Sequence, residues 1–239
     1  MNSRYTPPPS APPANGPATP SKPQTRVFLV DDHAMFRDGL RQLINMEPDL
    51  TVCGEAANAA EAHREICQCA PDLVIVDISL PGGNGIDLIK TLKSEFADLL
   101  TLVVSMHDES LYGERALRAG AMGYLMKSEP ARTVLDAIRT VIGGDVYVSD
   151  KMASSVVSKF VQGDPPEALS PLRTLSDREL EVFRMLGQGK ITREIAAEMN
   201  VAIPTISTFK NRIKEKLGLK NSTEMILFAI QWFRQERVD

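Results

Sequence analysis

Five short apolar runs punctuate residues 26–127, each bounded by charged or turn-forming positions: Arg26–Asp32, Thr51–Glu55, Asp72–Leu80, Leu99–Ser105 and Gly123–Lys127. Between them, apolar residues return at spacings of three and four. A helix is predicted over about 33–46, where Phe36, Leu40, Leu43 and Ile44 share a face. Further helices are expected over Ala59–Cys69, Ile86–Phe96 and Ser110–Ala119, the last with Gly120 as its C-cap. Pro130 falls in the first turn of another, running to about Ile142 and closed by Gly143-Gly144. Strands alternating with helices predict an α/β, doubly wound sheet of five parallel strands, and the flavodoxin-like order 2-1-3-4-5 is expected. The unbroken run Leu73-Val74-Ile75-Val76 reads as a strand buried on both faces, and Pro81–Gly85 after it as a loop.

Right-handed crossovers bring the carboxyl ends of all these strands to one edge. Asp31, Asp32, Asp77, Ser105 and Lys127 therefore converge on one crevice. Facing carboxylates repel, and a hard divalent cation removes the conflict. Mg²⁺ takes oxygen ligands beside retained waters, so Asp32 and Asp77 are expected as direct ligands, with the Ser79 carbonyl, and Asp31 through water. The arrangement leaves a carboxylate oxygen of Asp77 free to attack phosphorus. Lys127 then serves as the cation for the phosphoryl oxygens and the Ser105 hydroxyl as a hydrogen-bond donor. His33 and His107 have no cysteine or carboxylate partners at metal spacing; His33 reads as a helix-start residue near the crevice rim and His63 as a solvated helix position, and none of the three is given chemistry.

Residues 26–145 resemble the receiver domain of two-component response regulators, with Asp31-Asp32, Asp77, Ser105, Tyr124 and Lys127 matching in order and approximate spacing. The resemblance implies that Asp77 accepts a phosphoryl group from a sensor histidine kinase, that Ser105 moves toward it, and that Tyr124 changes rotamer as the switch. One departure is Gly83, where the family often has a larger residue.

From Leu175 the pattern is helical to the end. Ser176 and Glu179 form a capping-box pattern, and Leu180, Phe183 and Leu186 face inward before Gly187-Gln188-Gly189. A short helix from Thr192 to about Met199, a longer one from Ile203-Pro204 to Leu217, and a last one from Ser222 or Thr223 follow. This small all-α unit of four helices contains a helix-turn-helix. In the third helix Ile206, Phe209, Ile213 and Leu217 make the core stripe, which turns Ser207, Thr208, Asn211 and Lys214 outward, flanked by Lys210 and Arg212. Small polar side chains suit base edges and the cations suit phosphates. Residues 174–237 resemble the LuxR-type (NarL/FixJ) output domain through Leu175-Ser176-x-Arg178-Glu179, Gly187-x-Gly189, Glu194-Ile195-Ala196, Thr205-Ile206 and Lys216-Leu217-Gly218. That resemblance implies binding of double-stranded DNA, and pairing as a homodimer on phosphorylation. The DNA-facing set is then Thr205, Ser207, Thr208, Lys210, Asn211 and Lys214. Ile191 and Ala202 stand where the family usually places Ser or Thr N-caps, and Ser207 and Phe209 where Lys and His are frequent.

Charge divides the same way. Of the 239 residues, positions 1–169 carry 15 basic against 22 acidic, a balance of −7, and 170–239 carry 12 against 9, a balance of +3. Basic character in the rear half alone points to nucleic acid there. Residues 1–24 hold 8 of the 16 prolines and no acid, so a disordered tail is expected. The organisation read from the chain is tail 1–24, receiver 25–145, linker 146–172 with a helix over about 150–161 that breaks at Gly163–Pro166, and output domain 173–239. The linker is expected to be flexible up to about Leu172. No run reaches the length of a membrane span, which gives an expectation of a soluble, cytoplasmic protein, and three cysteines suggest reduced, half-buried thiols. Cys67 and Cys69 sit on different faces of one helix and make no metal site. The chain reads as a regulator and not an enzyme. An aspartate-nucleophile phosphatase needs an acid two residues after the nucleophile, where Ser79 stands, and a lactone sensor needs an aromatic-rich front half. An alternative remains in which the helix-turn-helix works mainly through protein partners, or without phosphorylation.

Overall fold

A computed structural model describes residues 24–154 and 171–236. Five parallel strands, β1 (Thr25–Val30), β2 (Leu50–Ala56), β3 (Leu73–Val76), β6 (Leu100–Ser105) and β7 (Gly123–Met126), form one sheet in the order β2-β1-β3-β6-β7. This is the 2-1-3-4-5 order expected. Between β3 and β6 lies a feature the pattern did not predict: β4 (Ser79–Leu80) and β5 (Gly83–Asn84) pair as a two-stranded antiparallel hairpin.

The strands are apolar throughout because both faces are covered. Val27 and Leu29, Leu73 and Ile75, and Leu102 and Val104 share one core with Leu40 and Ile44 of α1 (Ala34–Asn45) and with Val134, Ile138 and Val141 of α5 (Ala131–Ile142). The alternate residues Phe28, Val30, Val74, Val76 and Val103 pack against α2 (Ala59–Cys69), α3 (Gly85–Glu95) and α4 (Glu109–Ala119). Gly120 caps α4 with φ of 111°. Pro130 is the N-cap of α5, one place before the first turn where the pattern put it. Cys67 is exposed, whereas Cys53 and Cys69 are half-buried.

Ser149 caps a helical turn at 150–154, its hydroxyl accepting from the Met152 amide at 3.1 Å. The remainder of the expected linker helix, the Gly163–Pro166 break and nearly all of the Pro-rich tail lie outside the described residues. Leu172, read as the end of a flexible stretch, is instead fully buried in a 3-10 turn, Pro171–Thr174. The output domain follows as α6 (Asp177–Gly187), α7 (Thr192–Glu198), α8 (Ile203–Leu217) and α9 (Ser222–Glu236). Its N-terminal motif is structural. Ser176 and Glu179 cap α6 reciprocally, and Lys216 Nζ reaches the nearly buried Glu179 at 2.6 Å, tying α8 to α6. Neither Ile191 nor Ala202 supplies a side-chain cap. Glu194 takes over part of the role at α7 by accepting from the Ile191 amide at 2.9 Å.

The two domains are docked. Asp177, in the first turn of α6, pairs with Arg115 of α4 at 2.9 Å and Lys90 of α3 at 2.8 Å. Arg178 pairs with Asp87 at 3.0 Å, and Arg115 also donates to the Leu172 and Arg173 carbonyls. The Gly82 amide in the β4–β5 turn donates to the Glu198 carbonyl at 3.2 Å.

Burial alone would raise the Asp177 carboxyl, but its bonds to Lys90 and Arg115 outweigh burial and leave it below the usual range. Glu179 is likewise lowered, Lys216 and Ser176 outweighing burial. A carboxyl lowered in the folded state contributes stability above its unfolded value of about 4, and the contribution is lost as pH falls through the folded value. Docking and output-domain stability are therefore expected to weaken together in acid. Glu179→Gln is expected to lose roughly 1–3 kcal/mol at neutral pH and to flatten that acid dependence, read by denaturant unfolding followed at Trp232.

Candidate functional site

The carboxyl ends of β1, β3, β6 and β7 meet at the point where strand order reverses, the place where open α/β sheets bind ligands. Asp77 follows β3 and is 2% exposed. Its Oδ1 accepts from the Ser105 hydroxyl at 2.7 Å and the Ser79 amide at 3.3 Å, and its Oδ2 from Lys127 Nζ at 2.8 Å. Lys127 also pairs with Asp31 at 2.7 Å and lies 4.7 Å from the Phe36 ring centroid. The chain must turn tightly here. A Cβ on Gly85 would lie 2.1 Å from the Asp77 carbonyl oxygen, so glycine alone lets α3 start this close to the end of β3.

Asp31 is buried and its oxygen accepts from the His33 amide at 2.9 Å, while Arg37 holds its carbonyl. Asp32 stands at the rim and pairs with His33 Nδ1 at 2.7 Å. Asp31, Asp32, His33 and Asp77 can each present a ligand atom within 4.8 Å of the others. His33 is thus the N-cap position of α1 at the crevice rim, as its place in the sequence implies, but its ring does have carboxylate partners that sequence spacing did not reveal. His63, read as a solvated helix position, pairs with Glu95 at 2.7 Å.

His107 is the residue sequence reasoning missed. It is 5% exposed, stacks on Tyr112 with centroids 4.5 Å apart, and its Nε2 lies 2.8 Å from the Ser79 hydroxyl. Its carbonyl accepts from the Tyr124 hydroxyl at 2.8 Å. Burial first, then the charges of Arg184 and Lys127, hold its pKa well below the usual histidine value, so the ring is neutral. Burial also pushes the Tyr124 phenol well up, keeping it a donor. The available signal was position, two residues beyond Ser105 at the end of a crevice strand. Ser79, Ser105, His107 and Tyr124 thus form one connected polar group around Asp77.

On α8, Ser207, Thr208 and Asn211 are exposed and Thr205, Lys210 and Lys214 half-buried. The Ser207 and Thr208 hydroxyls bond back to the Ile203 and Pro204 carbonyls, at 3.4 and 3.2 Å. Lys210 reaches Thr192 on α7 at 3.2 Å.

Residues 27–139 match the family described as response regulator receiver domain, and residues 173–229 that described as bacterial regulatory proteins, luxR family. The chain is 35% identical over 210 residues to the oxygen regulatory protein NreC of Staphylococcus carnosus, covering 86% of this chain and 97% of that one. Among solved structures, a LuxR-family two-component response regulator from Aurantimonas is 34% identical with a TM-score of 0.55, over 58% of this chain and 99% of that one. RcsB of Salmonella enterica serovar Typhimurium, bound to promoter P1flhDC in the presence of phosphomimetic BeF3−, is 25% identical with a TM-score of 0.63, over 86% and 98%.

Removing the Tyr124 hydroxyl leaves the buried His107 carbonyl without that donor. Tyr124→Phe is expected to destabilise the receiver by about 1–3 kcal/mol, the penalty of an unsatisfied buried acceptor. Urea unfolding measured by circular dichroism checks this.

Proposed function

The chain belongs to the two-component response regulators that join a receiver domain to a LuxR-type DNA-binding output domain, and on that premise we propose that Asp77 is its phosphoacceptor. The observation that carries this is the pair of donors already on the Asp77 carboxylate, Ser105 at 2.7 Å and Lys127 at 2.8 Å. In the reaction an Asp77 oxygen attacks the phosphorus of a phosphohistidine on a sensor kinase. The phosphorus–nitrogen bond breaks and its electron pair leaves on the imidazole. Lys127 and Ser105 then turn from the carboxylate to the phosphoryl oxygens, which draws Ser105 outward. Tyr124, tied to the backbone of the same loop through His107, is the side chain positioned to report that movement.

Three carboxylates close together, with Lys127 as the ammonium for two of them, fit a hard divalent cation. Asp32 and Asp77 would hold Mg²⁺ directly, with the Ser79 carbonyl, and Asp31 would hold it through water. When bound, the ion neutralises charge on the acceptor and the incoming phosphoryl group.

The output domain reads duplex DNA through α8, on which Ser207, Thr208 and Asn211 are exposed. Ser207, Thr208 and Asn211 contact base edges near the start of the helix, where Thr205 also lies, and Lys214 contacts phosphate. Lys210 can join it by leaving Thr192. A single copy carries few cations, so pairing of two copies on adjacent half-sites strengthens binding. The pairing surface includes Tyr124 and the neighbouring helix α4, which is engaged on one side by this chain's own output domain. An apolar residue left open on the output domain is Leu227 of α9, 62% exposed.

Acetyl phosphate with Mg²⁺ is expected to add one phosphoryl mass to the wild-type protein and none to Asp77→Asn. Asp32→Asn should weaken Mg²⁺ binding by calorimetry and abolish labelling. Equal labelling of Asp77→Asn removes the assignment. On DNA, Lys214→Ala should lower the slope of log affinity against log salt by about 0.9. Asn211→Ala should change sequence preference, by about 1–3 kcal/mol at one base pair. Gel shifts across salt, with and without phosphorylation, measure both. If neither substitution affects binding to a selected promoter, α8 is not the reader and the helix-turn-helix serves protein partners.

A further inference from the structure

One face of α6 meets the receiver, and the charges on it are nearly all matched. Asp177 is held by Lys90 and Arg115, Arg178 by Asp87, and Glu181 by Asn84 and Arg178. Arg184 is the exception. Seven residues after Asp177, it returns to the same face and extends its guanidinium to the Ser79 hydroxyl at 3.3 Å. Among the described residues no carboxylate lies within ion-pair distance of it, although the side chain is half-buried. Glu181, three residues earlier on the same helix, feels the Arg184 charge at longer range but is itself bonded to Asn84 and Arg178, which leaves the guanidinium without a direct carboxylate contact and able to take an incoming anion.

The contact it makes lies against the phosphoacceptor. Ser79 is two residues beyond Asp77 and its amide donates to the Asp77 carboxylate. An arginine only donates, so the Ser79 oxygen accepts from Arg184, and the same hydroxyl shares a hydrogen bond with Nε2 of His107 at 2.8 Å. The chain of contacts Arg184–Ser79–His107 therefore closes one side of the crevice. On the other side Lys127 is shared between Asp77 and Asp31. Conversion of the Asp77 carboxylate to an acyl phosphate adds about one negative charge and three acceptor oxygens, with the output-domain guanidinium one serine away.

We propose that Arg184 is a phosphoryl-binding residue contributed by the output domain, so that the phosphoryl group on Asp77 and the docking of α6 on the receiver strengthen each other. The inference rests on the phosphoacceptor reading of Asp77. The coupling is reciprocal: whatever the phosphoryl group gains from Arg184, docking gains from the phosphoryl group. Ser207, Thr208 and Asn211 of α8 are exposed in the docked arrangement, so tighter docking leaves them available to DNA.

The test uses the full-length chain with Mg²⁺ and BeF3− as the phosphoryl stand-in, reading its binding by fluorine NMR and domain separation by small-angle scattering. Arg184→Gln is expected to bind BeF3− about tenfold more weakly than wild type, and Arg184→Lys, which keeps the charge but not the fork, to fall between them. Asp177→Asn removes a docking contact far from the phosphoryl position. It is expected to expand the protein, and BeF3− to compact it again, whereas the double variant Asp177→Asn/Arg184→Gln should stay expanded. BeF3− affinity within twofold of wild type in Arg184→Gln, or expansion of the wild-type protein on adding BeF3−, overturns the proposal. Either result alongside normal labelling of Asp77 by acetyl phosphate leaves the phosphoacceptor reading standing. A wild-type protein that neither binds BeF3− nor accepts a phosphoryl group overturns both.

Discussion

The ammonium of Lys127 is the charge on which the crevice depends. It bridges Asp31 and Asp77 from 2.7 and 2.8 Å, and all three side chains are almost fully shielded from solvent. Without it, two buried like charges would face one another with no cation between them. The geometry follows from the sheet: β7 ends one residue before Lys127, β3 one residue before Asp77 and β1 one residue before Asp31. Three strands stopping in register thus convert sequence positions nearly a hundred residues apart into one ionic cluster. The ammonium itself also lies over the Phe36 ring, 4.7 Å from its centroid, a cation–π contact that adds to its two carboxylate partners.

Most of this was legible because the crevice is built from strand ends. An apolar run in a doubly wound sheet has a readable end, and the residue beyond it has a readable edge, which is why the chain pattern alone locates Asp31, Asp77, Ser105 and Lys127. The helix-turn-helix was legible for a related reason: Ile206 and Ile213 define a buried stripe whose complement must face out. His107 escaped because its role comes from backbone placement. Its carbonyl and ring face opposite partners, Tyr124 and Ser79, and no spacing rule encodes that. The hairpin at 79–84 escaped because a glycine-rich stretch reads the same whether it is an open loop or a tight pair.

Domain docking escaped for a different reason. Arg115, Lys90, Asp87, Asp177 and Arg178 are ordinary helix-surface charges, indistinguishable by pattern from solvated ones. What identifies them is complementarity between two surfaces, and a single chain pattern carries no information about which surfaces meet. Leu172 could have given a partial signal. An apolar residue in an otherwise polar segment needs cover, and the 3-10 turn supplies it while presenting its carbonyl to Arg115.

The composition of that junction determines what it can be used for. Its ion pairs and hydrogen bonds have partly exposed members and contribute little individually, and they accompany apolar packing, since one buried apolar cluster runs continuously from the receiver into the output domain. A shift between docked and separated arrangements needs only a differential interaction of a few kcal/mol, which is the scale of a charge change near Arg184, a guanidinium with no carboxylate within ion-pair distance among the described residues. The polar contacts of α6 with the β4–β5 hairpin, Arg184 on Ser79 and Glu181 on Asn84, are therefore the part of the junction suited to sense a charge change in the crevice.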